Sequence, residues 1–141
     1  MRFERRFTKA GQDPYATIDF RLATSEIRNP DGTVVFQADN VEVPAQFSQV
    51  ATDILAQKYF RKAGVPRVSR RVEETSVPSW LWRSVPDEKA LDDLPEDQRF
   101  VGETSAKQVF NRLAGTWTYW GWKGGYFNNE EDAQTYFDEM R

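Results

Sequence analysis

Residues 33–62 read TVVFQADNVEVPAQFSQVATDILAQKYFRK, and the spacing of apolar residues changes in the middle of that stretch. Before Pro44, Val34, Phe36 and Ala38 alternate with Thr33, Val35 and Gln37, and Val41 and Val43 extend the pattern past a break at Asp39-Asn40. A period of two puts successive side chains on opposite faces of a strand. After Pro44, Phe47, Val50, Ala51, Ile54, Leu55 and Tyr59 recur at three- and four-residue steps, which traces one face of a helix. Ser48 is placed to cap its start, and Asp53 lies near the positive end of its dipole. Lys58, Arg61 and Lys62 suit its negative end, Gly64 suits a left-handed C-cap, and Pro66 blocks continuation. The spacing predicts a helix over Ser48–Lys62.

Toward the amino terminus, Ala16, Ile18, Phe20 and Leu22 alternate with Tyr15, Thr17, Asp19 and Arg21. Asn29-Pro30-Asp31-Gly32 follows, in which proline presets φ for a turn and glycine supplies a positive φ. Two alternating runs around such a turn predict a β-hairpin. Phe3, Arg5 and Phe7 share one side of a candidate third strand.

Toward the carboxy terminus, residues 65–102 hold Pro66, Pro78, Pro86 and Pro95, four of the chain's seven prolines. They read as an extended proline-rich connector with one helical turn near Asp87–Leu91. The run Ser79-Trp80-Leu81-Trp82 is expected to pin that connector to the body, since a free loop seldom carries two tryptophans. Over 103–141 two helices follow. Thr104 or Ser105 caps the first, with Val109, Phe110, Leu113, Trp117 and Trp120 on one face and Gly121, Gly124 and Gly125 ending it. Asn128 or Asn129 caps the second, with Glu130, Glu131 and Asp132 in its first turn and Ala133, Tyr136, Phe137 and Met140 on one face. Its apolar stripe is unfinished at Arg141, which reads as a chain that continues. The fold class is α+β, with the hairpin packed on the Ser48–Lys62 helix. Three units are expected: 1–64, the connector 65–102, and the aromatic-rich helical segment 103–141. Burial of Ile54, Leu55, Trp117 and Trp120 is expected to dominate stability, each fully buried aliphatic chain contributing on the order of 1.5–3 kcal/mol.

Composition removes whole classes of chemistry. The chain has 141 residues, 39% apolar and 29% charged, with a net charge of −3. Mean hydropathy is −0.73, far from that of a membrane span, and no membrane partner is expected. The sequence has no cysteine and no histidine. It therefore has no thiol nucleophile, redox dithiol or thiolate metal site, and it lacks the imidazole of a Ser-His triad. No catalytic, cofactor-binding or metal-ligating residue stands out. The amino terminus MRFERRFTKA has no apolar run of signal-peptide length, so a cytoplasmic location is expected.

The densest motif is residues 115–127, where three tryptophans, two tyrosines and a phenylalanine fall within eleven residues. It is not a phosphate loop: five residues separate Gly115 from Gly121, and no Gly-Lys-Ser/Thr follows. As a core-filling segment it holds more rings than one helix face can hide, so part of it is expected to meet something outside the chain. The alternative is a stand-alone module stacking nucleotides or single-stranded nucleic acid on Trp80, Trp82, Trp117, Trp120 and Trp122, although Lys123 is the one cation close by. Arg67, Arg70 and Arg71 could hold phosphates, but adjacent Glu73 and Glu74 favour ion pairing. Asp87, Glu88, Asp92, Asp93, Glu96 and Asp97 lack EF-hand spacing and read as a solvated stretch. Glu42 reads as an ordinary surface residue.

Three stretches carry a family resemblance. They are the run Val41–Phe60, the run Glu103–Phe110 leading into Trp117-Thr118-Tyr119-Trp120-Gly121, and Gly125-Tyr126-Phe127 with the Asp132–Met140 helix. Together they resemble the amino-terminal region of bacterial class II ribonucleotide reductases, the adenosylcobalamin-dependent enzymes, from about Arg2 to Arg141. The resemblance implies a structural part that precedes a large catalytic barrel. In such enzymes the barrel carries the thiyl-radical cysteine, the reducing cysteine pair and the substrate loops, while adenosylcobalamin initiates the radical. A chain without cysteine cannot perform that reaction alone. The implied partners are the catalytic barrel of the same parent chain and a second copy in a homodimer. Nucleotide substrate is met only through the parent, and no direct DNA binding is expected.

Overall fold

A computed structural model describes all 141 residues, Met1–Arg141. The amino-terminal arm is irregular, and Phe3–Phe7 joins no sheet. It runs along the last helix instead, because its backbone N–H groups find carboxylate acceptors there: Phe3 N donates to Asp132 Oδ1 at 3.0 Å and Thr8 N to Glu139 Oε1 at 2.8 Å. Pro14–Thr17 forms a 3-10 turn capped by Asp13, so Ala16 and Ile18 precede the first strand rather than belonging to it.

Strands β1, Phe20–Arg28, and β2, Val34–Pro44, pair antiparallel around the Asn29–Gly32 turn. The hairpin is as predicted, but the inward face of β1 is the opposite one. Ala23 lies across from Val41 and Arg21 from Val43, and both valines are buried, so Ala23 and Ser25 point inward. Leu22 pairs with Glu42 on the outer face and is 65% exposed. A one-residue change of register flips every side chain, and the two valines decide the matter. The break at Asp39-Asn40 is a bulge, with Asn40 at φ 54° and an uneven register between Ala23 and Ser25.

Ser48 caps helix α1, Gln49–Ile54, by accepting the N–H of Ala51. The helix passes into a π-helical turn, Leu55–Tyr59, and stops at Phe60, short of the predicted Lys62. Lys62 Nζ donates to the carbonyls of Ala56 and Gln57, doing the terminating work expected of Gly64. The face that docks is Thr52, Leu55, Ala56 and Phe60, while Val50 and Ile54 are more than half exposed. Small residues explain the choice: Ser25, Thr52 and Ala56 let helix and hairpin approach closely, and Ser25 Oγ donates to Asp53 Oδ1 at 2.7 Å. Ile54 is therefore no core residue, whereas Leu55 is.

Residues 65–102 leave the body and return to it. Strands β3, Val65–Pro66, β4, Ser69–Arg71, and β5, Ser84–Pro86, are followed by helix α2, Glu88–Asp92, and strand β6, Phe100–Val101. β3 pairs with β6 and β4 with β5, both antiparallel. Asp87 caps α2, the helical turn foreseen there. Leu81 is buried, and Trp80 stacks against Phe137 with centroids 5.9 Å apart, so the tryptophan-containing turn does pin the connector.

Helix α3, Ala106–Lys123, begins in a capping box of Ser105 and Gln108 and continues through Gly121 to a cap at Gly124. Helix α4, Glu130–Met140, is capped by Asn129. One core cluster unites Ala23, Val41, Val43, Leu55, Ala56 and Phe60 with Ala106 and Val109 of α3. The architecture is α+β, as the sequence predicts.

Candidate functional site

On α3, residues 106, 109, 110, 113, 117 and 120 share one broad face. Its first half is consumed by the core: Ala106 and Val109 are buried, and Phe110 and Leu113 pack beside them. The core takes nothing from the second half of that face. Trp117 is 41% exposed and Trp120 64%, so the expectation that they would be core residues is overturned. The cause is length. An 18-residue helix extends about 27 Å, and the hairpin layer covers only its beginning.

The other flanks of α3 are occupied. Ala114 and Thr118 are buried, and Gly115 and Gly121 admit the rings of Phe137 and Phe127. On a third side, Tyr119 Oη donates to Glu74 Oε2 at 2.7 Å and Lys123 Nζ pairs with Glu74 Oε1. Hydrogen bonds from Lys123 and then Tyr119 hold the Glu74 carboxyl below its ordinary value, and Glu74 in turn raises both partners.

Indole N–H groups sort the five tryptophans. Trp80 Nε1 donates to Glu130 Oε1 at 2.9 Å, Trp82 Nε1 to the Val77 carbonyl at 2.9 Å, and Trp122 Nε1 to the Ser76 carbonyl at 2.7 Å. Trp117 and Trp120 donate to nothing in the chain. Trp80 and Trp122 thus fasten the connector to the helices, Trp82 braces it internally, and the other two present an apolar ring with a free donor, a combination favoured at protein interfaces.

The remaining candidates do not assemble into a site. Arg67, Arg70 and Arg71 do not pair with Glu73 or Glu74, contrary to expectation: Glu74 is occupied by Lys123 and Tyr119, Arg67 Nε donates to the Gln98 carbonyl, and Arg71 donates to the Trp82 carbonyl. The acidic residues of 87–97 do not converge, and no cluster of three or more metal-capable side chains forms anywhere. Glu42 is more engaged than expected. It is half-buried, accepts from Ser105 Oγ and lies 3.6 Å from Lys107 Nζ. Lys123, the cation a nucleic-acid reading would need, is already paired.

Sequence reasoning missed the buried or engaged carboxylates Glu103, Asp132, Asp138 and Glu139. Asp138 lies 2.8 Å from Arg5 and 3.2 Å from Arg141. The available signal was complementary charge, since Arg2, Arg5 and Arg6 in the arm match the acidic last helix. Tyr15, another missed residue, is buried with Oη 3.0 Å from Asn111 Oδ1, and burial pushes its phenol up to about 12.

Two hollows of the surface are lined by seven and ten residues, of which only one and two are apolar. The chain supplies neither an imidazole nor a thiolate as a ligand for a cobalt ion. No helix is long and apolar enough to cross a membrane.

Comparison with known proteins bears out the sequence resemblance. Residues 21–141 match the family model described as class II vitamin B12-dependent ribonucleotide reductase. The chain is 72% identical over 141 residues to the vitamin B12-dependent ribonucleotide reductase of Bradyrhizobium diazoefficiens, covering 100% of this chain and 11% of that protein. It is 68% identical over 140 residues to the same-named protein of Agrobacterium fabrum, again 11% of that protein's length. The Rhodopirellula baltica protein of that name is 27% identical over 141 residues, 10% of its length. The chain thus spans about a tenth of the curated relatives it matches. With most of its length matched by the model and its whole length aligned to close relatives, the chain belongs to the class II vitamin B12-dependent ribonucleotide reductase family.

Proposed function

We propose that this chain is the structural amino-terminal part of an adenosylcobalamin-dependent ribonucleotide reductase acting in the cytoplasm. It supplies a folded body for a catalytic barrel that carries the thiyl radical, the reducing cysteines and the cofactor. The conversion of ribonucleotide to deoxyribonucleotide, for DNA synthesis, is the work of that barrel. The observation that carries this reading is the pairing of similarity to such reductases along the whole of this chain with a sequence that contains no cysteine. Thiyl chemistry needs a thiol, and a chain without one is left with support and positioning.

The test is an assay of both forms. The purified 141-residue chain, given adenosylcobalamin, a dithiol and a ribonucleotide, is expected to form no deoxynucleotide and to leave the cobalamin absorption spectrum unchanged. The full reductase carrying this segment is expected to turn over under the same conditions. Product from the 141-residue chain alone, or an inactive full reductase, overturns the reading.

A further inference from the structure

We infer that Trp117 and Trp120 are the seat on which the remainder of the reductase polypeptide docks in cis, an assignment that rests on the function proposed above and names the contact it would use. The occupant presents an apolar surface together with backbone or side-chain acceptors for two indole N–H groups.

Three observations converge on that occupant. The stripe formed by Trp117 and Trp120 continues, on the same helix, the face that Ala106, Val109, Phe110 and Leu113 bury in the core. An element laid beyond the end of the hairpin would extend an interior that already exists. The second observation is donor accounting. Trp80, Trp82 and Trp122 satisfy their N–H groups within the chain, and the two exposed indoles do not. Third, this chain is 11% of the length of its near relatives, so most of such a polypeptide lies outside it and is available in cis at high effective concentration.

Charge argues against a polyanion at this face. Lys123 is tied to Glu74, and Arg112 donates to Glu103 and to the Tyr59 carbonyl, which leaves neither free to bind phosphate. Stacking without cations holds single strands poorly.

Hydroxyl-radical footprinting of the 141-residue chain and of the full reductase tests the assignment. Trp82, bonded within the chain, serves as the internal reference. Trp117 and Trp120 are expected to oxidise readily in the short chain and at least about tenfold more slowly in the full reductase, as for residues buried at an interface. Equal oxidation in the two overturns the assignment. So does protection that grows with the concentration of the short chain, which marks self-association, or protection that requires added ribonucleotide, which marks a ligand site. As a second arm, Trp120→Glu is expected to leave the thermal midpoint of the short chain unchanged. In the full reductase it should speed protease release of the segment by roughly thirty-fold, the equilibrium equivalent of losing a hot-spot residue. An unchanged release rate overturns the assignment. Deoxynucleotide formation is scored separately: an inactive full reductase with protected tryptophans removes the functional reading and leaves the docking seat standing.

Discussion

Glu103 accepts a hydrogen bond from Arg112 Nε at 3.0 Å while its other carboxylate oxygen accepts the Arg61 N–H at 2.7 Å. One side chain, 4% exposed, therefore joins the end of α1's segment, the return of the connector and helix α3. Glu103→Ala is expected to destabilise the chain by about 2–4 kcal/mol, because it strands the Arg112 guanidinium and a backbone donor near the core. Replacing Glu103 and Arg112 together with methionine should recover part of the loss. Urea unfolding of the parent and the two variants checks this, and a double variant no more stable than Glu103→Ala would refute the coupling.

Leu55 and Ile54 are consecutive yet have opposite fates, at 7% and 51% exposure. Leu55→Asp is expected to abolish folding, since an unpaired charge in the core exceeds what a domain of this size can lose. Leu55→Ala is expected to cost about 2–4 kcal/mol. Ile54→Asp should stay within about 1 kcal/mol of the parent. Thermal unfolding followed by circular dichroism reads all three, and equal behaviour of the two aspartate variants would contradict the packing described.

Two helical glycines predict opposite outcomes. A Cβ at Gly121 would lie 2.7 Å from Phe127 Cε2, and that ring is held between Phe3 and Tyr136, with centroids at 5.8 and 5.5 Å. Gly121→Ala should therefore lower stability by about 1–3 kcal/mol despite its better helix propensity. At Gly115 the nearest atom would be 3.7 Å away, an ordinary contact. Gly115→Ala should raise stability by about 0.5–1 kcal/mol. Thermal midpoints moving in the same direction would refute the difference.

Glu139 fastens the arm by accepting the N–H groups of Arg6 at 3.1 Å, Phe7 at 3.2 Å and Thr8 at 2.8 Å. Desolvation pulls its pKa upward, but hydrogen bonds from Thr8 Oγ and the three amides outweigh it and hold the carboxyl below its ordinary 4.5. A folded-state value below the unfolded one gives a contribution that is complete above about pH 4.5 and fades as pH falls through the folded value. Amides 6–8 should therefore lose exchange protection, after correction for intrinsic rates, as pH falls below about 4.5. Glu139→Gln should flatten that dependence. Protection that stays constant over that fall in the parent would sink the assignment.

Local rules were enough for the hairpin turn, the cap at Ser48 and the small helix after Asp87, and they narrowed the later caps to Thr104 or Ser105 and Asn128 or Asn129. Each depends on backbone groups within a few residues, and the sequence states those groups directly. The absence of cysteine was equally legible, and with it the exclusion of thiol chemistry by this chain. Facing was a different matter. Periodicity finds an apolar stripe without saying how far a neighbour reaches along it, so Val50, Ile54, Trp117 and Trp120 read as core and are exposed. The arm was also opaque, because its partners on α4 lie some 130 residues away in sequence.

The sequence by itself determined the hairpin, the main helices and the chemistry this chain cannot do alone, since these follow from side-chain inventory and short-range hydrogen bonding. Tertiary structure alone decided which face of β1 and α1 is inside, where the arm rests and which two tryptophans remain free. Those choices are set by the register of Val41 and Val43, the close approach allowed by Ser25, Thr52 and Ala56, and the finite reach of the hairpin along α3.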